Sequence, residues 1–390
     1  LEYPVFERTW QAKAGGASIS LVGLAQWLAD EHGYVEDLCC WGEETWTLAL
    51  GIPPTSTPSA TEPPPSTAVR CLGSDAPLEL HPTADSAAAR KEAAPPPEVL
   101  IARLQDRNLS HQERLEIGQE LARIGDPRRG VGLRTDGLPD IGWVTISGGQ
   151  VIVKESDELR KNMERSVLSR VFGPKPKLEH TFNVLPFRLA QYPVTNEQFL
   201  SFLTVPDGYY NDVWWNGIEL QRDPNPVKQS SFFGAVNAPR VVVSWFDAVA
   251  FCRWLSAKTG TRIRLPTEWE WQQAATGGNQ DCTYPWGSDW DDSRCNGDTS
   301  GLKQTIAVGM YPAGATRQGL HDMVGNVWEW CLNRYQDLER PDAVNITDEP
   351  AWRVVRGGSY HNLTGSVPMR GGEGSPIHDP NIGFRLLQEL

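Results

Sequence analysis

The chain has no excess of basic residues, and this shortage limits the partners that it can bind. Its 390 residues include 36 Lys and Arg against 49 Asp and Glu, for a formal net charge of −13. Nucleic acids and anionic membrane surfaces attract proteins with basic patches, and no such patch is visible. We therefore expect no nucleic-acid partner.

Long apolar runs are also absent. The longest, around Val241–Val243, is far shorter than the ~20 residues that a membrane-spanning helix needs. The N-terminus lacks the basic and then apolar pattern of a signal peptide. These absences predict a chain with no membrane span and a cytoplasmic location.

Cysteine and histidine are few and scattered. The seven cysteines show no C-x-x-C spacing, and none of the seven histidines lies one helical turn from another. Without a secretion signal, we expect the cysteines to be reduced and buried.

The composition divides the chain into four parts. Residues 1–50 are apolar enough to fold, and Ser20–Glu31 has the spacing of an amphipathic helix. Residues 51–97 are rich in Pro, Ser, Thr and Ala, as in an extended linker. Residues 98–140 predict a short helical segment, and 141–390 form the large domain.

Capping boxes predict where the helices begin. Ser110 is followed three residues later by Glu113, so its hydroxyl and the acid can cap a helix that ends before the Gly-Asp-Pro turn. Similar signals predict helices near 195–204, 245–258 and 267–276. Because the remainder consists of loops and short strands, we expect an irregular, loop-rich α+β fold.

The C-terminal stretch, about 352–390, is the candidate binding region. It begins and ends with short strands, and the segment between them is rich in Gly, Pro, Ser, His and Asn. Long irregular segments held by a rigid scaffold often carry function.

Six motifs run in a fixed order through the large domain. They are S-W-F-D-A-V-A-F-C-R-W-L-S from Ser244, R-L-P-T-E-W-E-W from Arg264, Y-P-W-G from Tyr284, D-M-V-G-N-V-W-E-W from Asp322, R-V-V-R-G-G-S-Y from Arg353 and G-F-R from Gly383. This series resembles the formylglycine-generating-enzyme or sulfatase-modifying-factor domain. The resemblance implies a C-type-lectin-like fold, in which a small twisted sheet and two helices support an irregular ligand-facing region.

The resemblance also bears on catalysis. Oxidising members of the family hold copper with two cysteines, and the matching positions here are Asn362 and Val367. Neither an amide nor an isopropyl group replaces a copper thiolate. A second branch holds iron with clustered histidines, which this chain lacks. We therefore expect a non-enzyme with no catalytic cofactor, and the copper- or iron-dependent oxidase is the weakest alternative.

A third branch, the variable proteins of diversity-generating retroelements, is the most similar. In these proteins a C-terminal segment on a C-type-lectin-like scaffold is diversified to bind different ligands. The resemblance implies a ligand-binding protein whose partner is a protein or other macromolecule. The alternative is a degenerate domain of a bacterial signalling protein.

The side chains expected to form this surface lie between the two strands, exposed above a buried layer of Val354, Val355, Phe384 and Leu386. They are Trp352, Tyr360, His361, Asn362, Leu363, Thr364, Ser366, Val367, Glu373, Ser375, Ile377, His378 and Asp379.

Calcium is the one metal that the resemblance suggests. Family enzymes bind it at the stretch matching Asp322, Gly325, Val327 and Glu329, where two carboxylates and two backbone carbonyls converge. Hard oxygen ligands of this kind suit calcium. The alternative is that the carboxylates make hydrogen bonds instead.

The 16 tryptophans favour an irregular aromatic core over a stacking pocket. Two of them, Trp214 and Trp215, stand in an N-D-V-W-W-N-G insertion. They could form a wall of the binding site or pack the loop against the domain.

Overall fold

The structure is a computed structural model, and it describes most of the chain from residue 95 onward. The described residues are 95–154, 179–224, 226, 234–279, 281–335, 346, 350–361 and 370–390. The predicted N-terminal region and linker, as far as residue 94, lie outside them. So do five of the candidate binding residues, namely Asn362, Leu363, Thr364, Ser366 and Val367.

Helices and strands are mixed along the described part of the chain. The helices are α1 Pro97–Arg103, α2 His111–Ile124, α3 Asn196–Thr204, α4 Trp245–Thr259 and α5 Glu268–Thr276. The strands are β1 Trp143–Ile146, β2 Gly149–Lys154, β3 Glu179–Val184, β4 Phe187–Ala190, β5 Ile263–Arg264, β6 Trp328–Arg334, β7 Trp352–Arg356, β8 Arg370–Gly374, β9 Ile382–Phe384 and β10 Leu387–Glu389. The predicted loop-rich α+β class is confirmed.

Four of these helices begin with a complete capping box. In each, the N-cap hydroxyl accepts the backbone N–H of the third helical residue, whose side chain accepts the N-cap N–H in return. The pairs are Ser110 and Glu113, Thr195 and Gln198, Ser244 and Asp247, and Thr267 and Glu270. The predicted helix starts are confirmed. They could be read from the sequence because a capping box lies within four consecutive residues.

The C-terminal strands take part in both four-stranded sheets. One sheet has the order β1-β4-β10-β5 and the other β8-β7-β6-β9, while β2 and β3 form a separate pair. Strand β9 runs parallel to β6, whereas β10 lies antiparallel to β4 and β5. A few residues around Arg385 therefore connect the two sheets.

An aromatic core lies beneath this connection. Phe384 is fully buried and meets Phe199 edge-on at 6.1 Å and Phe251 at 5.5 Å between ring centroids. Val354 and Leu386 are also buried. The predicted buried layer is confirmed for these residues, and Val355 belongs to it too.

Helices α1 and α2 pack on the large domain. Arg114 of α2 is buried and donates to the Met310 carbonyl at 2.8 Å and the Asp106 carbonyl at 3.0 Å. Leu115 and Leu121 join Tyr311 in one hydrophobic cluster. Within the described residues, no helix has the length and apolarity needed to cross a membrane.

A buried ion pair joins the two sheets. Arg385 contacts Glu329 of β6 at 2.7 Å, and both side chains are inaccessible to solvent. The same guanidinium donates to the carbonyls of Ala190, Gln191 and His321 at 2.7–2.9 Å. The Trp271 indole N–H donates to the other Glu329 oxygen at 2.8 Å. Both charges are thus neutralised by hydrogen-bonding partners.

We expect Glu329→Gln to lower the free energy of unfolding by about 3–5 kcal/mol, because it leaves a buried guanidinium without its counter-charge. Chemical denaturation measures this cost. The control is Asp136→Asn, which removes an ion pair with Arg134 of similar length, 2.6 Å, but half exposed. That change should cost less than about 1 kcal/mol. Equal costs for the two variants would contradict the structural role given to Glu329.

Candidate binding surface

The C-terminal surface is built on the outer edge of a sheet. Strand β8 pairs only with β7 among the described strands, with Trp352 opposite Gly374 and Arg353 opposite Glu373. Glycine in β8 allows close packing from below: a Cβ added at Gly372 would lie 2.5 Å from the Tyr335 ring. Strand β8 therefore packs closely against the Tyr335 ring.

An apolar patch covers one end of this edge. Trp352 is 56% exposed and Ile377 is 40% exposed. Gly374 lies between them, opposite Trp352 in the ladder, and its Cβ position is 3.3 Å from Ile377 Cδ1. Trp352, Gly374 and Ile377 form the exposed apolar patch of the candidate surface.

An acidic group accompanies the patch. Burial, and after it the Asp379 carboxylate, raises the pKa of Tyr360 and of Glu373. Glu373 adjoins Gly374 in β8, and Asp379 lies two residues after Ile377. His361 is exposed at the end of the described segment. Neither Glu373 nor Asp379 forms an ion pair with another described residue.

His378 is tied to a buried carboxylate. Its Nε2 lies 3.0 Å from Asp247 Oδ2 in the first turn of α4 and 3.9 Å from Asp223 Oδ2. Asp247 also accepts the Tyr209 hydroxyl at 2.8 Å and the Ser244 N–H at 2.8 Å. Burial opposes the imidazolium, but the contacts with Asp247 and Asp223 and a backbone hydrogen bond to Pro376 together outweigh burial and raise the pKa of His378.

The Asp247 contact is a site feature that sequence reasoning missed. The sequence placed Asp247 near the start of the helix predicted at 245–258, and it placed His378 in the candidate binding segment between the two C-terminal strands. Their contact spans 131 positions in the chain, so no local pattern could reveal it.

Ser375 corrects one expectation. It was expected to be exposed on the surface, but its side chain is fully buried. Its hydroxyl accepts the Ala351 N–H at 2.9 Å, and its backbone N–H donates to the Ala351 carbonyl at 2.8 Å. Its own carbonyl accepts the Trp245 N–H at 3.0 Å. A small hydroxyl residue here completes backbone hydrogen bonds at the end of the β7–β8 ladder, so Ser375 is structural.

The candidate calcium stretch forms hydrogen bonds instead of an open oxygen cage. Both Glu329 oxygens accept N–H groups from Arg385, and one also accepts the Trp271 indole N–H. The Gly325 carbonyl accepts the Val327 N–H at 2.9 Å. Asp322 accepts the Gly309 N–H at 2.7 Å. A calcium ion at this stretch would compete with the Arg385 guanidinium for Glu329, so we expect the alternative, in which the carboxylates make hydrogen bonds.

The tryptophan insertion packs against the domain. Trp215 is fully buried and its indole N–H donates to the Tyr209 carbonyl at 2.7 Å. Trp214 is partly buried and donates to the Asp207 carbonyl at 2.7 Å. Of the two functions left open by the sequence, packing is the one that these contacts support.

The comparison with protein-family models gives the family. Residues 136–390 match the sulfatase-modifying factor enzyme 1-like domain. The chain belongs to this family. The family resemblance found in the sequence motifs is therefore confirmed.

Three relatives illustrate the range of similar proteins. The serine/threonine-protein kinase Pkn1 of Chlamydia trachomatis is 34% identical over 47% of this chain and 30% of its own length. The inactive Cα-formylglycine-generating enzyme 2 of Bos taurus is 30% identical over 55% of this chain and 80% of its own. Treponema denticola variable protein 1 has a solved structure that aligns with a TM-score of 0.44 at 19% identity, covering 64% and 95% of the two chains.

These relatives are functionally mixed. The chain spans about a third of the length of the first curated relatives that it matches. The curated relatives include proteins named as enzymes and others named as inactive. Membership of the family therefore leaves both a catalytic and a non-catalytic function open.

The His378–Asp247 contact makes a pH-dependent prediction. Because the folded pKa of His378 is raised above the unfolded value of about 6.5, its stabilisation is present below that pH and is lost as the pH rises through the folded pKa. His378→Gln should therefore cost about 1.5–3 kcal/mol at about pH 5.5 and much less at about pH 9. Denaturant unfolding at both pH values measures it.

His111 provides a control of opposite sign. Burial lowers its pKa, so the folded state loses stability as the pH falls below about 6.5. The difference between wild type and His111→Gln should therefore shift with pH in the reverse direction. A His378→Gln cost that does not change with pH would contradict the charged contact with Asp247.

For the calcium stretch, we expect the melting temperature to be the same with calcium and with a chelator, because Arg385 supplies the positive charge at Glu329. Differential scanning calorimetry measures this. A melting temperature that rises with calcium in the wild type, but not in Asp322→Asn, would restore the calcium site.

Proposed function

We propose that the C-terminal segment is a non-catalytic binding surface for a protein or other macromolecular ligand. The observation that carries this proposal is the exposed Trp352–Ile377 patch on a sheet edge next to strand β7, whose residues after Trp352 are buried. Exposed tryptophan is uncommon on surfaces that remain in water and is enriched in protein interfaces.

The scaffold under the patch suits a surface whose side chains can change. The β7–β8 and β6–β9 ladders hold both ends of the segment, and Phe384 packs in the aromatic core. Trp352 contributes little to that core because more than half of it is in solvent. Affinity and stability can therefore reside in different residues.

The residues at the copper positions support a function other than oxidation. Asn362 and Val367 replace the two cysteines of the oxidising members, and no cysteine follows Cys331 in the sequence. Cys331 itself is buried.

Because both copper-binding cysteines are replaced, purified protein should neither bind Cu(I) stoichiometrically nor oxidise a cysteine-containing sulfatase peptide. Turnover of such a peptide would overturn the proposal.

Diversification of the segment is the more specific form of the proposal. A variable protein of a retroelement has a near-copy of its last coding bases nearby, differing where the copy carries adenine. Sequencing the surrounding DNA tests this directly. If no such near-copy is found, the alternative remains, a degenerate family domain in a bacterial signalling protein.

Binding and stability should separate in mutants. The double variant Trp352→Ser/Ile377→Ser removes exposed side chains and should change unfolding free energy by no more than about 1 kcal/mol, whereas Phe384→Ala should cost about 3–5 kcal/mol as a core cavity. The same double variant should abolish binding to a partner identified with the wild type and measured with purified components.

The matched control removes two exposed leucines elsewhere. Leu133→Ser/Leu185→Ser replaces side chains that are 39% and 82% exposed, and it should leave that binding unchanged. Unfolding of the Trp352→Ser/Ile377→Ser variant would show that the patch is structural. Equal loss of binding in both double variants would show that the interaction is nonspecific.

A further inference from the structure

An open surface cavity lies on the Y-P-W-G-S-D-W segment, and no C-terminal residue lines it. It has a volume of about 670 Å³ and is lined by aromatic and acidic side chains, together with one arginine. The side chains that define it are Trp286, Trp290, Asp289, Asp291, Asp292 and Arg294. None of the candidate residues of the C-terminal surface lines it.

The aromatic walls are fixed by contacts within the segment. Tyr284 and Gly287 exchange two backbone hydrogen bonds, and this tight turn places Trp286 on the Tyr284 ring, stacked at 5.2 Å and 7°. Trp290 meets the same tyrosine edge-on at 5.4 Å. The Trp286 indole N–H donates to the Asp289 carbonyl at 3.1 Å. The two indoles are therefore oriented before any ligand binds.

The two rings that line the cavity stand at an angle to each other. Their centroids are 6.3 Å apart and their planes are tilted by 55°. Both side chains are partly buried against the core, so each presents a part of its ring to the cavity. Aromatic faces are electron-rich and attract cations.

The charge of the cavity is negative. Asp291 is neutralised by Arg294, whose Nε lies 2.6 Å from Asp291 Oδ2. Asp289 and Asp292 are exposed and form no ion pair with the part of the chain that the structure describes. The nearby His111 does not supply a cation at neutral pH, because burial outweighs the Asp292 charge and lowers its pKa.

We propose that this cavity binds an organic cation, an alkylammonium or guanidinium group, between its indole rings and the carboxylates of Asp289 and Asp292. An anionic ligand would be repelled by the two carboxylates. A metal ion would gain nothing from the tryptophans. A cation with an apolar surface uses both features at once, as quaternary ammonium ligands do in aromatic cages.

Choline is a suitable probe. Its matched control is the uncharged isostere in which a tert-butyl group replaces the trimethylammonium group, so that shape is kept and charge is removed. Saturation-transfer NMR and calorimetry on the full chain should show saturable choline binding, with the isostere at least about tenfold weaker. Equal affinity for the isostere, or no saturable choline binding up to tens of millimolar, would overturn the proposal. Binding of neutral hexoses without choline binding would reassign the cavity to sugars.

Charge-neutralising variants test the carboxylates. Asp289→Asn/Asp292→Asn keeps the shape of two exposed side chains and should weaken choline binding about tenfold, with a smaller dependence on salt. Asp281→Asn is the control because Asp281 is exposed on the same loop but does not line the cavity. Equal affinity in the wild type and the double variant would contradict the proposal.

A pair of substitutions isolates the aromatic contribution. Trp286→Phe and Trp286→Leu both lose the indole hydrogen bond to Asp289, but only phenylalanine keeps an aromatic face. Affinity for choline should fall in the order tryptophan, phenylalanine, leucine, with melting temperatures measured for each variant. If leucine binds choline as tightly as phenylalanine at a similar melting temperature, the cation does not contact an aromatic face at this position.

Discussion

The buried contact between Arg385 and Glu329 is the constraint on which the C-terminal half depends. Arg385 lies between β9 and β10, which belong to different sheets, and its guanidinium also holds carbonyls of the β4 end. A buried ion pair is tolerated only when its remaining hydrogen bonds are satisfied, and here they are. The pair therefore fixes how the two sheets meet and where the segment before β9 returns to the core.

In this arrangement, the residues that stabilise the fold are different from the exposed residues of the candidate surface. Phe384 and Val354 face the core, whereas Trp352 stands in solvent on the same set of strands. Close packing beneath the edge depends on glycine, since a side chain at Gly372 would collide with the Tyr335 ring. A scaffold of this kind can keep its fold while the outer side chains differ.

Uncompensated negative charge is common to both candidate sites. Glu373 and Asp379 lie beside the apolar patch, and Asp289 and Asp292 line the aromatic cavity. The formal net charge of −13 has the same sign. Cationic groups on a partner or ligand would therefore be attracted to either site, whereas polyanions would be repelled.

The sequence by itself determined the features that depend on a few neighbouring residues. Capping boxes such as Ser110 with Glu113 predicted the helix starts, and the motifs identified the family. The identities of Asn362 and Val367 set the expectation about copper. Only the tertiary structure decided what each side chain contacts. Ser375 is buried because its hydroxyl accepts the Ala351 N–H at the end of the β7–β8 ladder. His378 contacts Asp247, which lies far from it in the sequence.

Glu329 shows the same division most clearly. Its place in the D-M-V-G-N-V-W-E-W motif made it a candidate calcium ligand through the resemblance to the family enzymes. The structure places the Arg385 guanidinium against both of its oxygens. The two residues are 56 positions apart, so this competition for the carboxylate exists only once the two sheets have come together.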